Sequence, residues 1–237
     1  MELHIAETRE DLVERMARAA AEWIGAHPGS LVCLAAGDTP LPVYARLVAL
    51  QAESRVDLAS VFYAGLDEWV GLGPADAGSC LQVMRDAFYD PAGIPADRRR
   101  VFDGLADPAT ECRAMERWIE AHGGIRFTLL GIGMNGHVGF NEPGAPDGEG
   151  CLVVALDDIT QTVGVKYFDR ERTLRQGVTV GLRSLSKAEI VFLMATGERK
   201  ADIVGRMLSG DPAVPASRLL PHPGLRIYLD REAAGRL

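Results

Sequence analysis

Short apolar runs and apolar positions at helical spacing alternate along this chain, separated by polar or Gly-rich connections. The apolar runs predict buried strands at 31–35, 61–64, 125–130, 151–156, 177–182, 189–195 and 225–229. Helical spacing predicts helices that begin near Glu10, with Thr8 as the cap, and continue at 43–50, 79–89, 107–122 and 201–208. This alternation is typical of an α/β fold with a mostly parallel sheet and helices on both faces, and 237 residues suit one domain over 1–237.

The connection after the strand at 125–130 has the most unusual sequence, LGIGMNGHVGFNEP at 130–143. In an open parallel sheet, ligands bind at the carboxyl ends of strands, so polar residues concentrated there indicate a site. His137 is the one side chain of this stretch that titrates near neutral pH, and Asn135 and Glu142 lie on either side of it. The glycines of the stretch permit positive φ and a close approach of the backbone to a ligand.

Two other interpretations compete for this stretch. Gly131, Gly133 and Gly136 form a GxGxxG pattern with Asp157 about 20 residues later, as a dinucleotide site requires. The third glycine of such a site opens a long helix, whereas here Gly139 and a proline follow soon and would break one. The other interpretation is a Gly-rich loop with a solvated His and Glu, and it stays open for the stretch taken alone.

The turn AGDTP at 36–40 follows one predicted strand and precedes a helix. This arrangement presents backbone N–H groups and the helix dipole to a phosphate, which makes Gly37, Asp38 and Thr39 candidate phosphate-binding residues. The carboxylate of Asp38 would repel a phosphate, so we expect its side chain to point away. The same sequence is equally compatible with an ordinary turn between strand and helix, in which Thr39 caps the helix and no phosphate binds.

Two further strand exits carry charged residues. Asp67 and Glu68 are adjacent and cannot share one orientation, so one can face a ligand while the other is held structurally. An apolar pocket would raise the pKa of Asp67 and make it a useful base, although an exposed acidic turn is the alternative. Lys200, in TGERK, is poorly placed for the dipole of the helix that it precedes, which makes it a candidate for anion binding, and a surface lysine fits the same position equally well.

Amino-acid composition limits the classes of binding partner and the cellular location that we expect. The net charge of −8 argues against nucleic acid or an anionic membrane, so an anionic substrate would need a local basic or N–H-rich pocket. The four cysteines lack CxxC and zinc spacing, which predicts free thiols in a reducing cytoplasm and no metal site. The charged amino terminus and the absence of an apolar run near about 18 residues predict neither a signal peptide nor a membrane span. The Arg-rich residues 97–100 predict a solvated loop, and the polar segment 157–176 is a candidate lid.

The segments LAAGDTP, LDEWVGL, LGIGMNGHVGFNEPG and TGERK occur in an order and spacing that resemble the glucosamine-6-phosphate deaminase family. They look most similar to its galactosamine-6-phosphate deaminase (isomerase) branch, and the resemblance covers about residues 5–229. It implies a Rossmann-like α/β fold of the sugar-phosphate isomerase type. It also implies conversion of a 2-amino-2-deoxyhexose 6-phosphate into a ketose 6-phosphate and ammonia, without a cofactor.

The resemblance further implies roles for individual residues. Asp67 matches the base that acts at C2, and His137 matches the acid/base of ring opening, oriented by Glu142 and Asn135. The remaining matches are to phosphate-binding positions: Gly37, Asp38 and Thr39 in the turn, Lys200 as the lysine clamp, and Lys166 of VKYFDR where the family has an arginine. The implied partner is a phosphorylated amino sugar, and a homo-oligomer is compatible with the sequence.

Three departures from the family pattern bear on this interpretation. Asn135 stands where the best-known deaminases have Asp, Lys166 lacks the bidentate geometry of arginine, and Asp38 replaces a small residue. The chain also lacks the longer C-terminal extension of the allosteric deaminases, so we do not expect their effector control.

Two alternative functions remain for this sequence. One is a 6-phosphogluconolactonase, which Trp69 and the NEP motif at 141–143 disfavour. The other is a non-catalytic sugar-phosphate sensor, which is disfavoured because a DNA-binding segment is not evident.

Overall fold

A computed structural model describes residues 1–168 and 172–237 of the chain. The strands are β1 (Glu2–Ala6), β2 (Leu31–Leu34), β3 (Phe62–Gly65), β4 (Asp67–Trp69), β5 (Arg99–Arg100), β6 (Ile125–Gly131), β7 (Cys151–Ala155), β8 (Gln176–Val180), β9 (Ile190–Ala195) and β10 (Leu225–Asp230). The α-helices are α1 (Arg9–Ala26), α2 (Leu41–Ala52), α3 (Cys80–Met84), α4 (Pro108–Ala121), α5 (Asp158–Gly164), α6 (Leu182–Leu185) and α7 (Ala201–Leu208). A π-helical turn (Arg85–Tyr89) continues α3, and 3₁₀ turns occur at Leu58–Ser60, Ala96–Arg98, Val165–Tyr167, Glu198–Lys200 and Pro215–Leu219.

The main sheet is parallel throughout. In the described part of the chain it has seven strands in the order β1-β10-β9-β6-β2-β3-β5. Successive side chains of a strand point to opposite faces. Leu31 and Cys33 therefore join the core beneath α4 and α7, whereas Val32 and Leu34 join the core beneath α1 and α2. The predicted α/β fold, a mostly parallel sheet with helices on both faces, is confirmed.

A smaller antiparallel sheet, in the order β4-β8-β7, stands beside the main one. The runs at 151–156 and 177–182 form strands β7 and β8, as predicted, but outside the main sheet: β8 pairs with β7 on one side and with β4 on the other. β7 is mostly half-buried or exposed, whereas a parallel strand covered on both faces must be buried throughout. The sheet has an apolar cluster of its own around Trp69, Phe140 and Leu156. Because β4 begins two residues after β3 ends, Asp67 lies just beyond the carboxyl end of a strand of the main sheet.

All the predicted helices are present, although the one at 79–89 is π-helical from Arg85. The alternative in which Thr39 caps α2 is wrong, because Pro40 occupies the capping position. Thr8 accepts a hydrogen bond from the N–H of Asp11 at 3.1 Å and begins α1. Asp107 does the same for α4, accepting from the N–H of Thr110 at 2.8 Å. No helix among the described residues combines the length and the apolar character that crossing a membrane requires.

Two features of the main sheet's edges differ from expectation. β1 was not predicted, because this edge strand leaves Leu3 and Ile5 exposed and so shows no buried run. The prediction of a solvated loop at 97–100 is wrong, since Arg99 and Arg100 form β5. Arg100 donates to both carboxylate oxygens of Glu111, at 2.8 and 2.7 Å, and this pairing holds the edge strand against α4.

Candidate active site

A pocket of about 580 Å³ opens at the carboxyl ends of β2, β6 and β9. Its walls come from the turn after β2, from β4, from the loop after β6, from α5 with the following 3₁₀ turn, and from the turn after β9. Seven of the nine residues predicted for the site line it: Gly37, Asp38, Thr39, Asp67, His137, Lys166 and Lys200. The other two, Asn135 and Glu142, lie behind His137 and contact one another. The structure thus brings the predicted residues together.

Asp67 and Glu68 have the two different environments that the sequence predicted. Glu68 is buried and accepts hydrogen bonds from the N–H groups of Trp69, Cys80 and Leu81, each at 2.9 Å. It therefore ties β4 to the start of α3. Asp67 faces the pocket instead, and burial raises its pKa to about 6 against the opposing effects of His137 and Cys80. A carboxyl group of that pKa is ionised at neutral pH and is more basic than an exposed aspartate.

A buried carboxylate supports His137 from behind. The Nδ1 atom of His137 lies 3.3 Å from Oε2 of Glu142, and the amide of Asn135 donates to the same oxygen at 2.9 Å. Asn135 also accepts from the backbone N–H of His137 through Oδ1, at 3.2 Å. Burial would raise the pKa of Glu142, but hydrogen bonds from His137, Thr160 and Asn135 outweigh it and lower that pKa. The carboxylate is therefore charged and fixes the imidazole.

The loop around His137 is compact and tied down. A Cβ atom on Gly133 would lie 2.3 Å from both Cε1 and Nε2 of His137, so the backbone can run this close to the ring because residue 133 is glycine. The buried Asn141 donates to the carbonyls of Val138 and Val180, at 2.8 and 2.9 Å, and thereby joins the loop to β8. Both competing interpretations of this loop fail, because Gly136 opens no helix and the Glu142 side chain is 3% exposed.

Lys200 projects from the turn after β9. Its Nζ atom donates to the carbonyl of Ile132 at 2.6 Å, and burial, aided by the charges of Lys166 and Arg199, lowers its pKa to about 8. The turn is fixed by Gly197, whose φ is +86° and whose N–H donates to the buried carboxylate of Asp230 at 2.9 and 3.0 Å. The lysine ammonium is thus held in the wall of the pocket that the turn at 37–39 also lines.

Asp38 and Lys166 meet across the mouth of the pocket. Nζ of Lys166 lies 2.5 Å from Oδ2 of Asp38, and each side chain is about half exposed, at 52% and 54%. The sequence predicts an Asp38 side chain that points away from an anion; the structure instead pairs it with Lys166, because opposite charges attract across this gap. The candidate lid is described only up to 168 and from 172, and its residues 169–171 lie outside the described part.

Sequence reasoning missed two residues around His137. Thr160, on α5, places its Oγ1 atom 3.0 Å from Nδ1 of His137. The second is Asn141, which the sequence analysis used only as part of the NEP motif that disfavours a lactonase. In the structure its side chain anchors the loop to β8. Thr160 lies 23 positions from His137 in the chain, and nothing in its own neighbourhood, LDDITQT, distinguishes it from a residue of an amphipathic helix.

Residues 5–227 match the sequence model of a family described as glucosamine-6-phosphate isomerases/6-phosphogluconolactonase. The chain belongs to this family. The glucosamine-6-phosphate deaminase of Thermoanaerobacter pseudethanolicus is 34% identical over 238 residues, which cover 99% of this chain and 94% of that relative. A solved structure of a monomeric glucosamine-6-phosphate deaminase superposes with a TM-score of 0.95 at 31% identity, covering 100% of both chains.

Other members of the glucosamine-6-phosphate isomerase/6-phosphogluconolactonase family share only the fold at this level of similarity. The 6-phosphogluconolactonase of Trypanosoma brucei superposes with a TM-score of 0.78 at 23% identity, covering 100% of this chain and 98% of its own. The galactosamine-6-phosphate branch, predicted from the LDEWV motif, is not distinguished by these relatives.

Proposed function

We propose that this protein is an amino-sugar-6-phosphate deaminase that converts glucosamine 6-phosphate or galactosamine 6-phosphate into the ketose 6-phosphate and ammonia. One observation carries the proposal. Asp67, the His137–Glu142 pair and Lys200 come from three separate strand exits and surround one pocket of about 580 Å³. Its size suits a single sugar phosphate, and it offers a base, an acid/base and a cation, which are the groups that this reaction needs.

His137 is the acid/base that opens the sugar ring in this proposal. Because Nδ1 faces the Glu142 carboxylate, Nε2 is the nitrogen available to the pocket. Nε2 takes the proton of the O1 hydroxyl and returns a proton to O5 as the C1–O5 bond breaks, which leaves an open-chain aldehyde. The Glu142 carboxylate stabilises the imidazolium that forms between the two transfers, and Asn135 keeps that carboxylate in place.

Isomerisation falls to Asp67. Its carboxylate removes the C2 proton, the electron pair of that bond forms a double bond between C1 and C2, and the carbonyl oxygen O1 takes up a proton from water, which gives an enolamine. The carboxyl group of Asp67 then delivers its proton to C1, and the lone pair of the nitrogen forms an iminium group at C2. Water adds to C2, the amine takes up a proton, and the C2–N bond breaks to give the ketose and ammonia. The pKa of about 6 suits both directions of this transfer.

The phosphate lies at the other end of the pocket in this proposal. Lys200 supplies a positive charge there, and the backbone N–H groups at 37–39, between β2 and the start of α2, face the same space. Lys166 joins them only when its ammonium leaves Asp38, because the two side chains are paired across the mouth. Asp38 is therefore a residue of the phosphate end without being an anion ligand itself.

The test compares substrates on one purified protein. Glucosamine 6-phosphate and galactosamine 6-phosphate are assayed for both ammonia and ketose phosphate, with the unphosphorylated sugars as controls, and 6-phosphogluconolactone is assayed for hydrolysis. Ammonia in equal amount to ketose phosphate supports the proposal. Lactone hydrolysis without ammonia would replace it with the lactonase, and saturable sugar-phosphate binding without turnover would replace it with the sensor.

Two further properties belong to this proposal. The similar deaminase of known structure is described as monomeric, which supports a monomer for this chain over the homo-oligomer that the sequence allows. Light scattering on the purified protein decides between them.

The cytoplasmic location stays a prediction. The four cysteines all lie within the described residues and form no disulfide, which is consistent with a reducing compartment.

A further inference from the structure

We propose that Thr160 is a positioning residue for His137, whose hydroxyl links the imidazole to Glu142 and fixes which ring nitrogen faces the pocket. The proposal rests on the function proposed above for the loop around His137. It adds a residue from a different element, α5, to the support of the acid/base. Thr160 is 4% exposed, so its hydroxyl has no alternative partner in bulk water.

The distances favour the hydroxyl as the nearer partner of the ring. Thr160 Oγ1 lies 3.0 Å from Nδ1 of His137, whereas the nearest oxygen of Glu142 lies 3.3 Å from it. A hydroxyl can accept one hydrogen bond and donate another, so it can accept from Nδ1–H of the ring while its own O–H donates to the carboxylate. A hydrogen bond from Thr160 is among those that lower the pKa of Glu142, so the hydroxyl also lies close enough to donate to the carboxylate.

This arrangement sets the tautomer of the ring. Glu142 is ionised and can only accept, and the Thr160 hydroxyl can accept as well, so the proton of the neutral imidazole belongs on Nδ1. Nε2 is then unprotonated toward the pocket, as the ring-opening step requires. Among the described residues, Glu142 and Asp67 are charged groups that interact with the ring, whereas the Thr160 side chain is uncharged. Loss of the hydroxyl alone therefore leaves the charges unchanged.

Thr160 also connects the two ends of the site. It lies on α5, and the 3₁₀ turn that follows α5 directly carries Lys166, which pairs with Asp38 at the mouth. One short segment thus holds the acid/base at one side of the pocket and a cation at the other. Movement of this segment would change both contacts together.

The test uses Thr160→Val, which keeps the shape and removes the hydroxyl, beside Thr160→Ser, which keeps the hydroxyl and removes the methyl group. Thr162→Val, at an exposed position of the same helix, is the matched control. We expect kcat of Thr160→Val to fall about 10- to 100-fold with KM changed less than about threefold, since a hydrogen bond to an imidazolium acts mainly in the transition state. Thr160→Ser and Thr162→Val should keep at least about a third of the wild-type kcat.

A second measurement does not depend on turnover. In the unliganded protein, the ¹⁵N shifts of the His137 ring report which nitrogen carries the proton. We expect the Nδ1–H form in wild type and in Thr160→Ser, and a partial loss of that form in Thr160→Val, because the Glu142 oxygen left to accept this proton lies farther from Nδ1, at 3.3 Å against 3.0 Å for the hydroxyl. If Thr160→Val does not fold, the same spectrum of Thr160→Ala serves in its place.

The outcomes separate this inference from the proposed function. Wild-type kcat and a single Nδ1–H tautomer in Thr160→Val would overturn the positioning role. Equal losses in Thr160→Val and Thr160→Ser would overturn it as well, because the methyl group and its packing would then be responsible. A wild-type enzyme that releases no ammonia would refute the deaminase proposal, while the tautomer spectra would still test the role of Thr160.

Discussion

The pKa of Asp67 gives the sharpest test of the site, because one substitution should change activity and stability in opposite directions. Burial raises the pKa of this carboxyl from 3.8 to about 6. The folded protein therefore binds the proton of Asp67 more tightly than the unfolded chain does. The contribution to stability is fully present below the unfolded value and is lost as the pH rises through about 6.

The size of the effect follows from the same two values. The rise from 3.8 to about 6, at about 1.4 kcal/mol per pH unit, means that ionised Asp67 costs up to about 3 kcal/mol of the free energy of unfolding. Asp67→Asn removes the ionisation and keeps the shape. We expect this variant to be more stable than wild type by up to about 3 kcal/mol at pH 7.5 and to be equal to it near pH 3.5.

Activity should change in the opposite direction. An amide cannot take the C2 proton, so we expect kcat to fall at least about 100-fold, while affinity for a substrate analogue stays within a few fold. Urea denaturation from pH 3.5 to 8 and ammonia release measure the two effects on the same preparations. Asp97→Asn, at an exposed carboxyl outside the pocket, is the matched control and should change neither. Full ammonia release by Asp67→Asn, or a stability that falls with pH as steeply as in wild type, would refute the reasoning.

Three further predictions concern other parts of the pocket. Because burial lowers the pKa of Lys200 to about 8, competitive inhibition by sulfate should weaken as the pH rises through that value, and Lys200→Arg should remove the dependence; an unchanged profile in Lys200→Arg would contradict this. Gly133→Ala should lower kcat at least about 10-fold with an unchanged circular dichroism spectrum, because its Cβ would lie 2.3 Å from the imidazole of His137, which we propose as the acid/base. Gly25→Ala, with no atom within 4 Å of the new Cβ, should behave as wild type. Asp38→Asn should tighten sulfate binding severalfold by freeing Lys166, 2.5 Å away, and should change the free energy of unfolding by less than about 1 kcal/mol; weaker binding would show that Asp38 helps to hold the anion.

Much of the fold follows from local chemistry that the sequence displays. Buried parallel strands are mostly apolar, so β2, β6 and β9 can be recognised in the sequence as apolar runs, although β6 also contains Arg126 and Thr128. The caps Thr8 and Asp107 mark helix starts, because their side chains satisfy N–H groups within three residues. The strands β1 and β5 were not predicted, because neither contains a buried apolar run. Each is a short edge strand, and its pairing with a distant partner leaves no continuous apolar run.

The sequence by itself determined the types of groups at the site and the strand exits that carry them, since a parallel sheet gathers the carboxyl ends of its strands at one edge. Asp67, His137, Glu142 and Lys200 were found in this way. Only the tertiary structure decided that Lys166 pairs with Asp38 and that Thr160 reaches His137. Those contacts join residues 128 and 23 positions apart, and their energies depend on distances of about 3 Å that no local pattern encodes.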